Sequence, residues 1–343
     1  MPNLTAVTGF ILMGLSNIPE LQTLCGISFL LIYVVILMSN LLIITLVTLD
    51  QKLQSPMYFF LKNLSLVDVF LVSVPIPNFF ISSLTHNNSI STLGCACQLF
   101  FMASFGAEEL FLLTAMSYDR YVSVCIPLHY DIIMSSINCV LLMGVPWVIA
   151  LFFAAIYTIL IFSMPFCGSN IIPEIFCDVP SLLRISCSDS FVAIYTSLGI
   201  ALCLGVFCIF CVVISYFYIF STVLKIPTAK GQTKAFVTCV PHLIVFTIFI
   251  ATVCFVYLKP PSNTTSITDR LFSLLYPVLS PALNPVIYTL RNAEVTSALK
   301  KLRENTSIQR ILCSHLFYFL KFPTYLFIDQ SSSGNLSPAA DGN

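Results

Sequence analysis

The sequence predicts an all-α membrane protein, a seven-transmembrane helix bundle. Hydrophobic residues make up 58% of the 343-residue chain and charged residues only 9%, and the mean hydropathy is +0.95. A soluble domain carries about 25% charged residues, so this chain lacks the polar surface that water requires. Seven apolar runs each exceed the roughly 20 residues that cross a bilayer as a helix. They cover 23–49, 57–84, 93–126, 139–162, 192–224, 235–258 and 268–290.

The positions of Lys and Arg predict the orientation of the bundle. Twelve of the 15 basic residues fall on one side of the seven runs, and only Arg184, Lys259 and Arg270 fall on the other. The positive-inside rule then puts the C-terminus in the cytoplasm and residues 1–22 outside the cell. Those 22 residues lack a basic region followed by an apolar core, so no cleaved signal peptide is expected. This orientation makes Asn3, in Asn3-Leu4-Thr5, a predicted glycosylation site. The zero net charge gives no indication of a nucleic-acid partner.

Four of the fourteen cysteines are predicted on the oxidising outer side. These are Cys95, Cys167, Cys177 and Cys187. The last three lie at ten-residue intervals in a long outer loop, 163–191, which is expected to have no helix of its own. Four cysteines allow three pairings, and spacing does not choose among them. Cys97 is a competitor for Cys95, and zinc is disfavoured because the outer cysteines contain no CxxC pair.

Three acidic residues lie deep inside predicted spans, away from the ends, where ionisable groups are expensive and mark functional sites. Asp68 is in the second run, and Glu108 and Glu109 are adjacent in the third. Neighbouring residues on a helix differ by about 100°, so only one of the two glutamates faces the interior squarely. Two facing carboxylates would bind a cation or share a proton. Hydrogen bonding between helices is the alternative. Further interior polar candidates are Asn40, Ser280 and Asn284.

The third run ends in MSYDRYVSVC, Met116 to Cys125. The acid–base–aromatic triplet Asp119-Arg120-Tyr121 at the inner mouth of a third span predicts a switch for a cytoplasmic partner. An ion pair at the membrane boundary, with Arg120 reaching into the interface, is the alternative.

Three prolines, each four residues apart, make the seventh run bendable. Pro277, Pro281 and Pro285 each remove a backbone donor on one face. Broken helices also occur in transporters, but the internal repeat typical of transporters is not evident.

Five motifs resemble those of vertebrate olfactory (odorant) receptors, which are rhodopsin-like (class A) G-protein-coupled receptors, from about Thr5 to Arg303. They are PMYFFLKNLSLVD (56–68), MSYDRYVSVC with the following PLHY (127–130), Ser215-Tyr216, KAFVTCVPH (234–242) and PALNPVIY (281–288). The last is shared by rhodopsin-like receptors generally. Glu174 departs from the family, which usually has His three residues before the loop cysteine, and Ile250 stands where Tyr is usual.

The resemblance implies roles for individual residues. Arg120 would engage the C-terminal helix of a G protein. The whole implied switch is Asp119, Arg120, Tyr121, Tyr216, His242, Asn284 and Tyr288. Asp68 and Glu109 would line a mid-membrane cation pocket, for which sodium is the candidate ion; no other cofactor and no catalytic site are expected. The implied disulfides are Cys95–Cys177 and Cys167–Cys187, with Cys95–Cys187 as an alternative. A short amphipathic eighth helix would cover 291–303 and a cytoplasmic tail 304–343.

The positions that match the family's ligand site are almost all apolar. They are Met102, Ala103, Gly106 and Ala107 on the third helix, Ile200 and Leu204 on the fifth, and Val253, Cys254 and Tyr257 on the sixth. Helix packing is the alternative for each. Tyr257 is the only clear hydrogen-bonding group, and no Arg, Lys or His is expected in the pocket. Gly106 and Ala107 indicate extra room near the middle of the third helix. A small, mostly neutral hydrophobic volatile fits such a pocket.

The resemblance implies an odorant receptor in the plasma membrane of olfactory cilia. The odorant would shift the population toward an active state. That state would accept a stimulatory olfactory-type G protein and raise cyclic AMP. The same fold acting as a non-olfactory metabolite chemosensor is the first alternative, and an ion-coupled transporter that uses the buried acids is a remote one.

Overall fold

The seven-helix bundle predicted from the apolar runs is confirmed. A computed structural model describes residues 9–166, 170–186, 191–258 and 267–291, together with 295, 297 and 298. Within these residues, seven helical segments are long and apolar enough to cross a membrane. The spans, numbered in chain order, are Pro19–Leu49, Pro56–Thr85, Thr92–Cys125, Ser136–Phe162, Phe191–Val223, Ala229–Leu258 and Ile267–Arg291. The predictions for Asn3, Cys167, Cys187, nearly all of the eighth helix and the tail fall outside the described residues.

The second span is broken, although its sequence reads as one apolar run. Its two helices are Pro56–Ser73 and Ile76–Thr85. Pro75 and Pro77 cannot donate to the carbonyls one turn before them, so the hydrogen-bond ladder is interrupted there. The break leaves the carbonyl oxygen of Val74 free to accept from the side-chain amide of Gln98 at 3.4 Å.

A small sheet covers the outer end of the bundle. Strand β1 (Gly9–Leu12) pairs antiparallel with β2 (Ser89–Ser91) and parallel with β3 (Ile171–Ile172). The sheet ties the N-terminal segment to the first and second outer loops. The expectation that the long outer loop has no helix of its own is wrong, because Val179–Ile185 is helical. Asp178 begins that helix by accepting a hydrogen bond from the backbone N–H of Ser181 at 3.3 Å.

The third span lies at the centre of the bundle, with the second, fourth, fifth and sixth packed around it. The fourth span buries few of its side chains and exposes large apolar ones such as Val148 and Phe152. Apolar side chains on the outside of a bundle face lipid, so this pattern is the one that a membrane requires. At the inner end, the chain after the third span forms a 3-10 turn, Pro127–His129, and one helical turn, Tyr130–Ile133.

Candidate functional site

The Asp119-Arg120 pair lies at the inner end of the third span. The Nη2 and Nε atoms of Arg120 donate to Oδ2 of Asp119 at 2.7 and 3.2 Å. The other carboxylate oxygen, Oδ1, accepts from the hydroxyl of Tyr130 at 2.7 Å. Burial and the Asp119 carboxylate raise the pKa of Tyr130, so its hydroxyl remains a donor. The Arg120–Asp119 contact is the only ion pair within 4 Å among the described residues. Tyr130 is the last residue of the PLHY motif, for which no role in the switch was predicted.

Tyr216 and His242 connect three spans. The Tyr216 hydroxyl lies 2.9 Å from Nδ1 of His242, and Nε2 of His242 lies 2.8 Å from the carbonyl oxygen of Leu113. A carbonyl can only accept, so Nε2 carries a proton, and in the neutral imidazole Nδ1 accepts from the Tyr216 hydroxyl. The Leu113 carbonyl thus selects the tautomer of the neutral ring. The two rings are also stacked, with their centroids 5.7 Å apart.

The residues implied for the switch do not form one cluster. Tyr121 turns away from Arg120 and packs on Tyr218 of the fifth span, with ring centroids 5.9 Å apart. Asn284 belongs to a deeper site, where its Nδ2 donates to Oδ2 of Asp68 at 2.8 Å. Tyr288 is buried, and its hydroxyl has no hydrogen-bond partner among the described residues.

A polar site in the middle of the membrane joins the first, second, third and seventh spans. Glu109 accepts a hydrogen bond from the hydroxyl of Ser280, and Asp68 accepts from Asn284. Asn40 donates to the carbonyl oxygen of Pro281 at 3.0 Å. That carbonyl is free because its helical partner would be the N–H of residue 285, which is proline. The kink in the seventh span thus creates the acceptor that the first span uses.

The oxygen atoms of this site fit a small hard cation. Asp68, Glu109, Asn40 and Asn284 are fully buried, and each has one side-chain oxygen without a donor among the described residues. No described group of three or more His, Cys, Asp or Glu residues could hold a metal ion, so any ion here would rest on two carboxylates and amide oxygens.

Glu108 lies on a different face of the third span from Glu109. It is fully buried, and neither of its carboxylate oxygens has a hydrogen-bond partner among the described residues. Phe105, one turn earlier, stacks on Phe70 and meets Trp147 edge-on. Glu108 therefore faces the second and fourth spans, and only Glu109 joins the polar site.

The positions proposed for the ligand fall into different environments. Met102 is buried in the main core, whereas Ala103 packs against a second core beneath the outer sheet. The expected extra room beside Gly106 is wrong, because the Tyr276 hydroxyl of the seventh span occupies it. The remaining proposed positions differ in exposure: Ala107, Ile200, Leu204 and Val253 are half-buried, and Cys254 is exposed. The side chain of Tyr257 lies outside the described part of the chain.

The long outer loop reaches into the bundle. A disulfide joins Cys95 to Cys177 with a Cα–Cα distance of 5.5 Å. This is the pairing that the family resemblance implied. The side-chain oxygen of Gln98 accepts from the backbone N–H of Cys177 at 2.8 Å. Held in this way, Ile175 and Phe176 pack into the same core as Met102 and Tyr276. No sequence pattern had singled out Gln98, Phe176 or Tyr276.

A bundle of seven spans, closed outside by a disulfide-held loop and carrying an acid–base pair inside, has the architecture of a heptahelical membrane receptor. A family model described as "Olfactory receptor" matches residues 29–305. The chain is 63% identical over 306 residues to human (Homo sapiens) "Olfactory receptor 14A2", covering 89% of this chain and 98% of that protein. It is 47% identical over 299 residues to human "Olfactory receptor 14A16", covering 87% and 96%. It is 44% identical over 304 residues to "Olfactory receptor 1G1" of Gorilla gorilla gorilla, covering 88% and 96%.

The chain belongs to the olfactory receptor family. The members of that family are G-protein-coupled receptors and not enzymes, and the chain is a multi-pass protein of the plasma membrane.

Proposed function

We propose that this receptor binds small, mostly neutral hydrophobic volatiles in the outer half of the bundle. The lining would come from the third, fifth and sixth spans, at Met102, Ala103, Gly106, Ala107, Ile200, Leu204, Val253, Cys254 and Tyr257. Ile175 and Phe176 of the outer loop pack into the core that contains Met102, which favours a site closed from above by that loop. Apolar walls favour neutral ligands, because a charged one would lose its hydration without gaining a partner.

The partner at the inner end is a stimulatory olfactory-type G protein, and the output is cyclic AMP in olfactory cilia. The Asp119 carboxylate, fully buried and bonded by both Arg120 and Tyr130, is the observation that carries this proposal. Those bonds hold the arginine against its own helix in the resting state. An odorant that binds better to a state with the arginine released raises the population of that state. Tyr216, His242, Asn284 and Tyr288 would rearrange with it, because they connect the moving spans.

Asp68 and Glu109 would hold a sodium ion in the resting state. Four unpartnered oxygen atoms in a fully buried site support this, since buried acceptors are normally satisfied by a donor or a cation. The chain's own contribution is to orient these oxygens: Ser280 fixes Glu109, and Asn284 fixes Asp68.

Cyclic AMP should be measured in cells that express the surface-labelled receptor, against a panel of neutral volatiles. The variant Arg120→Ala should abolish the dose-dependent rise at equal surface level. Lys52→Ala is the matched control, because it removes a cation from an exposed position in the first inner loop. A response that Arg120→Ala leaves intact would contradict the proposed switch. Silence across the panel despite good surface expression would contradict neutral volatiles as ligands.

A further inference from the structure

Glu174 is a buried acid of the long outer loop. Only 6% of it is exposed, and the backbone N–H of Met13 donates to its carbonyl oxygen at 3.0 Å, which fixes the backbone beside β1. Its carboxylate accepts a hydrogen bond from the hydroxyl of Ser273 on the seventh span. The second carboxylate oxygen, Oε2, is buried without a partner among the described residues.

Arg270 is a buried base one helical turn before Ser273. It is 9% exposed, and its Nη1 donates to the carbonyl oxygen of Gly14. Its Nε is buried without a partner, and among the described residues no carboxylate lies within 4 Å of it. Residues three apart on a helix share a face, so Arg270 and Ser273 both lie beside Glu174. An acid and a base thus share the outer end of the bundle without pairing.

These groups adjoin the proposed ligand region. Ile175 and Phe176, which follow Glu174 directly, pack into the main core of the bundle. Tyr276, one turn below Ser273, reaches across to Gly106. The acid and the base therefore lie above the apolar part of the proposed site, at its outer end.

We propose that Glu174 and Arg270 are the polar part of the odorant site and bind the hydroxyl group of an alcohol odorant. This rests on the proposed function and specifies the ligand class. A hydroxyl can accept from Nε of Arg270 and donate to Oε2 of Glu174, so it satisfies both unpartnered atoms.

The hydrogen-bonding atoms of the site favour a hydroxyl over a charged group. A carboxylate could pair with Arg270 but has no proton to donate to Oε2 of Glu174, and an ammonium group could donate but could not accept from Nε. Burial, with the nearby Asp178 charge, raises the pKa of Glu174 to about 8, whereas Arg270 and Arg184 oppose that rise. A hydroxyl suits both protonation states of Glu174, because it can donate to the carboxylate or accept from the carboxyl. Arg270 would give the proposed site a basic side chain that the sequence did not predict there.

The test compares ligands of one chain length that differ only in the terminal group. The cyclic AMP response of the full-length receptor is measured for a primary alcohol, its methyl ether, the carboxylic acid and the amine. An ether accepts but cannot donate. In the wild type the alcohol should be about tenfold more potent than the ether, the size expected for a hydrogen bond to a buried partner. Glu174→Leu should reduce the ratio of alcohol potency to ether potency to about one.

Cell-surface labelling of each variant reports its folding and trafficking separately from the potency ratio. Arg270→Met should weaken the alcohol and the ether alike, because the oxygen of either ligand accepts from Nε. Glu174→Gln, which keeps a donor and an acceptor, should retain part of the preference. Glu20→Leu is the matched control, because it removes an exposed acid at the same end of the bundle. Equal potency of alcohol and ether in the wild type, or strongest activation by the acid or the amine, would overturn this site and leave the proposed function standing. Silence to the whole series would overturn both.

Discussion

Replacing Gly106 by alanine should destabilise the bundle, although alanine is the better helix former. In a helix interior the change from Gly to Ala normally gains about 1 kcal/mol. At this position the new Cβ would overlap the hydroxyl oxygen of Tyr276, a buried side chain that has little room to move. Overpacking of this kind costs about 1–3 kcal/mol. Because the overlapping atom is tightly held, we expect the upper half of that range to apply, for a net loss of about 1–2 kcal/mol.

Removing the Tyr276 hydroxyl should turn the destabilising effect of Gly106→Ala into a stabilising one. The next atom that the Cβ would meet is Cζ of Tyr276 at 3.7 Å, an ordinary van der Waals contact. In a Tyr276→Phe background, Gly106→Ala should therefore stabilise by up to about 1 kcal/mol, the helix-propensity gain alone. The four members of this double-mutant cycle should show a coupling of about 1–3 kcal/mol.

The assay is thermal unfolding of the purified receptor in one detergent, with all variants at equal concentration. Gly144→Ala is the matched control, because a Cβ at position 144 would meet nothing within 4 Å. It should raise the apparent Tm while Gly106→Ala lowers it. The reasoning is refuted if both alanine variants raise Tm alike, or if Tyr276→Phe leaves the effect of Gly106→Ala unchanged.

Three further predictions concern charged groups. Asp119→Asn should raise basal cyclic AMP a few-fold, because it weakens the ion pair that holds Arg120. Asp131→Asn, at an exposed position, is the control. A basal level in Asp119→Asn no higher than that of the wild type would contradict this prediction. Glu174 lies outside the spans, and its pKa in the folded protein is raised from 4.5 to about 8, chiefly by burial, with Asp178 raising it and Ser273, Arg270 and Arg184 opposing. The folded state then binds more protons than the unfolded state between those values, so its stability should fall as pH rises through this window. The apparent Tm should drop from pH 5 to 8, and Glu174→Gln should flatten that drop. A slope in the variant equal to that of the wild type would contradict this prediction. Sodium chloride should raise Tm above choline chloride at equal ionic strength. Asp68→Asn should abolish that difference and Glu108→Gln should not; equal sodium effects in both variants would exclude the proposed site.

Composition and apolar run length determined the fold class without any tertiary information. Each run is long enough to cross a bilayer, and lipid permits only structures that satisfy their own backbone hydrogen bonds. The motifs around Arg120 and Pro285 likewise predict where the switch lies. The fold prediction succeeded because it depends on local properties of the chain, which the bilayer converts directly into structure.

Other features depend on which residues meet across the bundle, and no local pattern reports that. The sequence showed that Glu108 and Glu109 could not both face the interior, but packing decided that Glu109 meets Ser280, 171 positions away. The sequence offered three outer-loop cysteines as partners for Cys95, and the position of the loop over the third span selects Cys177.

The same reason applies to Gly106 and to Arg270. Gly106 looked like open space because a glycine has no side chain, but the atom that fills it belongs to Tyr276, 170 residues later. Arg270 looked like an outer-loop charge, but it reaches Gly14 across a sequence separation of 256. The sequence by itself determined what enters the membrane and in which order. Only the tertiary structure decided which buried polar atoms find partners, because each such partnership requires two distant helices to present matching groups at the same depth.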